Sequence, residues 1–217
     1  IYAIGSTIEE AKSILEKQLS NVANWLSVNS LKLNEKKSQI MFIGPKTAKI
    51  DADLPAISVN GTPIQPQQSI KLLGVQVDNR LSYEEHAEIV RAKCRSGSYA
   101  LRLAGQNGIP LTGRKAIYNS LVNSRLSYCD VILNAGTAAA KKTLEKAQDN
   151  AIRALMMKDY EFTVDKLRYH LRWLTAAGRR QVHETKLVYQ CLRGEAPVEL
   201  IELFKPKTEV LNPGLRS

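Results

Sequence analysis

The hydrophobic period of this chain changes near Ser82, and that change limits what it can fold into. Between Leu31 and Asp78, apolar residues come in short runs broken by turn residues: Leu31 and Leu33, then Ile40, Phe42 and Ile43, then residues 57–64, then residues 70–77. From Ser82 onward they recur every three or four residues, as one face of a helix requires. A small antiparallel β-sheet followed by a bundle of helices is the α+β order. The 217 residues suit one to two domains, with a boundary expected at 83/84.

Local signals fill in this frame. Ser6, with Glu9 three residues on, predicts a helix start. Ile8, Ala11, Leu15, Leu19, Val22 and Leu26 form its apolar face, Trp25 widens it, and Asn29 stops it. Residues 31–33 and 40–43 read as two extended runs joined by a lysine-bearing loop. Asn60-Gly61 predicts a two-residue hairpin turn. Residues 70–77 read as one strand, with Gly74 marking close approach of another backbone or a ligand. Further helices are expected over 84–103, after a cap at Thr112, after a cap near Thr137, over 164–169 and over 175–192. Gly194 closes the last of these, Pro197 opens a final short helix, and the tail from Lys205 is loose. Trp25, Trp173, Tyr118 and Tyr189 are expected in the core.

Composition excludes several classes. Hydrophobic residues at 44% and charged residues at 24% rule out intrinsic disorder. No apolar run approaches the ~18 residues of a membrane span. Cys94, Cys129 and Cys191 are odd in number and far apart, against a disulfide framework or zinc ribbon and for a reducing compartment. The net charge is +10, with 13 basic and 10 acidic residues in 1–105 and 18 and 11 in 106–217. An excess in the helical half without like-charge blocks suits a basic face for a polyanion. Aromatics at 6% do not indicate a single-strand stacking platform.

No complete active site emerges from the residues. His86, His170 and His183 lie in no zinc-ligand spacing. His183 and Cys191 are eight apart, about 12 Å along a helix and too far for a nucleophile pair. Glu9-Glu10 and Glu84-Glu85 suit first helical turns. Asp51 and Asp53 lie in a loop, which does not hold two metals in place. Ile1 is not a methionine, and residues 1–4 read as the end of a strand, so a piece of a longer chain is expected.

An ordered series of motifs resembles one family. Residues 22–42 carry Trp25, Asn29, Leu31-Lys32-Leu33-Asn34 and Lys36-Lys37-Ser38. Residues 70–78 carry Leu73-Gly74-Val75, with Leu72 where an aromatic is usual. Tyr118-Asn119-Ser120-Leu121, Leu126-Ser127-Tyr128-Cys129-Asp130 and residues 144–153 come next. Trp173-Leu174, Tyr189, Gly194 and Ala196-Pro197 close the series, with Thr175 in place of the usual proline. The chain thus resembles the reverse transcriptases of non-LTR, LINE-like (Jockey-type) retrotransposons. The resemblance implies RNA-directed DNA polymerisation. Residues 1–83 would be the end of the palm and its primer grip, and residues 84–217 the thumb and the start of the region after it. It implies an RNA template, a DNA primer and deoxynucleotides as partners, a nuclear location for the element's protein, and magnesium held by aspartates upstream of these residues. A fragment lacking those aspartates is expected to be inactive alone.

By the same resemblance, Lys36 and Lys37 would act near the leaving pyrophosphate. Leu72, Leu73 and Gly74 would belong to the family's primer-grip hairpin. Arg114, Lys115, Lys141, Lys142 and Lys146 are candidate phosphate contacts. Each residue has an ordinary structural reading beside this one. A non-catalytic basic nucleic-acid-binding module and a degenerate transposon remnant remain as other readings of the whole.

Overall fold

The computed structural model describes residues 1–45, 50, 54–59, 61–157 and 163–204. They are α+β, mostly helical, with two separate two-stranded antiparallel sheets. Two compact units divide them: residues 1–89 with 135–140, and residues 90–134 with the described part from 141 onward. Asp51, Asp53, Asn60 and the tail from Lys205 lie outside the described residues.

In the first unit, Thr7 opens α1 (Ile8–Val28). Its hydroxyl accepts from the Glu10 N–H at 3.2 Å, and the Glu10 carboxylate accepts from the Ser6 N–H at 2.7 Å. The cap is therefore Thr7 and not Ser6, because Glu10 is the acid three residues beyond it. Asn29 ends the helix, its amide donating to the Trp25 carbonyl at 2.8 Å. The apolar stripe of α1 is half-buried at most, and no residue of α1 is fully buried. Trp25, expected in the core, is 60% exposed, since it lies beside that stripe.

The strands β1 (Ile57–Val59) and β2 (Thr62–Ile64) pair with Val59 opposite Thr62. Gly61, in the expected hairpin turn, has φ +79°. The strands β3 (Ser69–Leu72) and β4 (Val75–Asp78) pair with Leu72 opposite Val75. The single strand expected over 70–77 is thus a second hairpin, and Gly74 is a turn residue at φ +90°, not a mid-strand glycine. Apolar residues on both sides of that turn make one run in the sequence.

Residues 31–33 and 40–43 form no strand pair among the described residues, and neither do residues 1–4. The 40–44 segment is tied to the base of β3–β4 by the Gln67 N–H to the Ile40 carbonyl (2.8 Å) and the Gly44 N–H to the Asn79 carbonyl (3.3 Å). Two such bonds do not make a ladder, so one sheet over 31–78 gives way to two hairpins.

Helix α2 (Glu84–Gln106) contributes residues 84–89 to the first unit and the rest to the second. Pro110, not Thr112, precedes the next helix and caps it without a side-chain bond. There α3 (Leu111–Tyr118) runs through a π-helical turn at Asn119–Asn123 into α4 (Ser124–Ser127) without leaving helical conformation. A short α5 (Asp130–Leu133), not expected, follows Cys129 at φ +53°. Thr137 caps α6 (Ala138–Met156), as read from the sequence, its hydroxyl accepting from the Ala140 N–H at 3.2 Å. After α7 (Val164–Leu171), Thr175 caps α8 (Ala176–Leu192) by accepting from the Gly178 N–H at 2.9 Å. Gly194 (φ +72°) follows the end of α8. Pro197 caps α9 (Val198–Leu203) from just outside, one position earlier than expected.

The core of the second unit is built around α6. Leu144, Ala147, Gln148, Ala151, Ile152 and Leu155 are all buried with Leu101, Tyr118, Val122 and Leu133. Tyr118 stacks on Trp173 with ring centroids 4.4 Å apart. A Cβ at Gly97 would lie 2.7 Å from Val122 Cγ2, so α2 meets the π turn almost at backbone distance. Tyr189, expected in the core, is 56% exposed; its hydroxyl accepts from Arg193 at 3.1 Å. Among the described residues no helix is long and apolar enough to cross a membrane.

Candidate nucleic-acid interface

Leu72, Leu73 and Gly74 form the tip of the β3–β4 hairpin. Two consecutive positive φ values, +47° at Leu73 and +90° at Gly74, reverse the chain in two residues. Glycine takes that conformation freely, but for a leucine it costs about 1–2 kcal/mol. No burial offsets this strain, because Leu73 is 84% exposed and Leu72 57%. Strain held at an exposed apolar tip is the kind of feature that clusters at contact sites.

The base of the hairpin is held firmly. The Gln76 N–H donates to His86 Nδ1 at 3.1 Å, Gln76 Nε2 to Ser69 Oγ at 2.6 Å, and Ser69 Oγ to the Glu85 carboxylate at 2.6 Å. Asp78 then organises the link to α2. Its carboxylate accepts from the N–H groups of Arg80 (3.0 Å), Ser82 (2.9 Å) and Tyr83 (2.8 Å) and from the Ser82 hydroxyl (3.1 Å). Burial pushes the Asp78 carboxyl up, but these bonds to its charged form outweigh burial and leave it below the ordinary value. Burial and the Asp78 charge together raise the Tyr83 hydroxyl. The carboxylate braces Tyr83 at φ +58°, and the Asp78 main-chain carbonyl accepts from the N–H of Leu81 (φ +53°) at 2.9 Å.

Lys36 and Lys37 lie side by side on a single 3₁₀ turn, Glu35–Lys37. The Asn34 side chain accepts from the Lys37 N–H at 3.2 Å, and both lysine side chains are exposed.

The five expected thumb contacts do not share one role. Lys142 and Lys146 are exposed and four apart on α6, so they form one stripe. Lys141 and Lys115 are half-buried. Arg114 points inward: its Nη1 donates to the Leu155 carbonyl in the last turn of α6, where a free carbonyl needs a donor. Its Nε is buried and has no hydrogen-bond partner among the described residues.

Sequence reading missed the main basic feature. Arg91, Arg95 and Arg102 on α2 line a groove of about 390 Å³ with Ser98 and Tyr99, and α6 supplies Ala147 and Asn150 to the other wall. The arginine spacing of four and seven places them on one helical stripe, a signal readable in the sequence. Buried Cys94 lies beneath; burial pushes its thiol up to about 11, which makes it unreactive.

Magnesium, which the resemblance implies, requires a cluster of carboxylates. The described residues gather no group of three or more His, Cys, Asp or Glu side chains able to hold a metal ion, so they do not fit a two-metal centre. No family model matches this chain, and neither a curated protein nor a solved structure is significantly similar to it.

Proposed function

We propose that this chain supplies the primer-template grip of a non-LTR retrotransposon reverse transcriptase. The observation that carries the reading is the strained, exposed Leu73 at the tip of a hairpin whose base is locked by Gln76, Ser69 and Asp78. A rigid hairpin that offers a bare apolar tip suits contact with the terminal sugar of a primer. The Lys36-Lys37 turn and the lysines of α6 would hold phosphates without reading sequence. Phosphoryl transfer would be the work of aspartates that these residues do not supply, with the RNA template, DNA primer and deoxynucleotides meeting in a larger, nuclear enzyme.

Two measurements test this. A photoreactive residue in place of Leu73 should crosslink to the 3′-terminal nucleotides of the primer in an RNA–DNA hybrid. Crosslinks spread evenly along the hybrid, or none, would overturn the primer-grip reading. Hybrid binding should weaken with salt at about −0.9 in log–log slope per phosphate contacted. Salt-independent binding would remove the phosphate contacts.

A further inference from the structure

We propose that the groove between α2 and α6 binds an unpaired stretch of nucleic acid, with phosphates on Arg95 and Arg102 and one base stacked on Tyr99. This rests on the nucleic-acid reading above and adds a site and a strand state to it.

The charge of the groove is not neutralised from within. No residue lining it carries a carboxylate. The acidic residues of α2 are Glu84, Glu85 and Glu88, all before Arg91. The carboxylates of α6 nearest in sequence are engaged elsewhere: Glu145 accepts from Arg180 at 3.5 Å, and Asp149 pairs with Arg168. Arg95 and Arg102 are exposed and make no ion pair or hydrogen bond among the described residues. Two guanidinium groups thus face a groove that no carboxylate of the described residues lines.

The aromatic between them chooses the ligand. Tyr99 is 70% exposed and sits four residues after Arg95 and three before Arg102. Along the helix axis the two arginines are about 10.5 Å apart, which leaves room for one sugar and base between two held phosphates. A volume near 390 Å³ falls in the ~300–1,000 Å³ range of pockets that bury one small molecule, and suits a single nucleotide. Paired bases bury their faces against one another; only an unpaired base can stack on a tyrosine. Ser98 and Asn150 add neutral hydrogen-bonding groups that fit a ribose or a base edge. Lys146 and Lys142, one and two turns before Asn150 on α6, carry the cationic track onward.

The test is fluorescence anisotropy with labelled single-stranded oligo(U) and oligo(dT) 12-mers and a blunt RNA–DNA hybrid, at several salt concentrations. Tyr99→Ala should weaken single-strand binding about tenfold, leave its salt slope unchanged and leave hybrid binding within twofold; Tyr99→Phe should restore it. Arg95→Glu with Arg102→Glu should weaken single-strand binding more than tenfold and flatten its salt slope by about 1.4, at about 0.7 per phosphate lost. All these side chains are exposed, and unchanged circular dichroism will confirm folding. If the wild type binds the hybrid but Tyr99→Ala leaves single-strand binding intact, or weakens both ligands equally, the groove proposal falls and the nucleic-acid reading stands. If the wild type binds neither ligand at low salt, both fall.

Discussion

Helices α1 and α6 are nearly the same length, 21 and 19 residues, yet they are held in opposite ways. Along α6, Leu144, Ile152 and Leu155 are at most 1% exposed, and the polar Gln148 is drawn in with them, donating to the Leu174 carbonyl at 3.1 Å. Along α1 nothing is fully buried; it rests on its Thr7–Glu10 cap and on contact with β1, where the Ser58 N–H reaches Glu16 at 3.4 Å. Helix α1 is therefore secured mainly by directional bonds, and α6 mainly by packed volume. Damage to packing should be costly in the second unit and mild in α1; damage to carboxylate networks should matter in both.

The largest effect tests that contrast directly. Leu144→Ala should destabilise the second unit by about 2–5 kcal/mol, the transfer and cavity cost of a buried leucine. Leu15→Ala in α1, a half-buried position, should cost under about 1 kcal/mol. Urea unfolding followed by tryptophan fluorescence, with Trp25 in one unit and Trp173 in the other, separates the two. Equal losses would break the comparison.

A smaller effect is expected at Arg168. Its side chain is 10% exposed and it bonds Asp149 and, at 2.6 Å, Asp165. Arg168→Ala strands the half-buried Asp149, for about 2 kcal/mol once the exposure of the partners is discounted. Asp165→Asn should cost almost nothing, because Asp165 is 87% exposed. In the first unit Asp78→Ala frees four donors and should cost about 1–2 kcal/mol. Hydrogen exchange at the Ser82 and Tyr83 amides should quicken in that variant, while amides within α6 stay protected.

How much of this was legible in the sequence depends on the range of the forces involved. The helix cap at Thr137, the start of a helix at about Thr175 and the stop at Gly194 depend on neighbours within four residues, and the order of helices could be read from them. The cap falls at Thr7 and not Ser6 because Glu9 and Glu10 stand side by side, and only the folded chain shows that Glu10 is the acid that returns. The β3–β4 turn is hidden from local propensity because Leu73 is a poor left-handed residue; the resemblance to a primer-grip hairpin, and not the residues alone, gives its shape. Nothing in the sequence marks the role of Asp78, since its four donors are assembled only when the loop folds. The α2 groove was half legible: the arginine stripe was there to be counted, but α6 is more than forty residues away in sequence, and its small Ala147 wall is set by packing.

The smallest effect gives the two units opposite signs with pH. Asp78 is held below its ordinary value of 3.8, so the folded form binds its proton more weakly than the unfolded chain. Its stabilising contribution is complete above about pH 4 and is lost as pH falls through the lowered value. Asp149 is shifted the other way. Burial raises it and Arg168 opposes, while the negative charges of Glu145 and Asp165 add to the rise and Arg153 opposes further; the net is above 3.8. The folded form then holds that proton more tightly than the unfolded chain, so the second unit loses stability as pH climbs from 3.8 through the raised value and keeps that loss at neutrality. Unfolding of Asp78→Asn and Asp149→Asn beside the wild type, from about pH 3 to 7, reads both signs. The deficit of Asp78→Asn should shrink below about pH 4. For Asp149→Asn, the change relative to wild type should become more favourable to the variant as pH rises past about 4, and adding Arg168→Met should enlarge that trend, because the cation that restrains Asp149 is gone. A deficit of Asp149→Asn that grows with pH would mean the Arg168 pairing outweighs burial, and the second unit would then depend on charge as the first does.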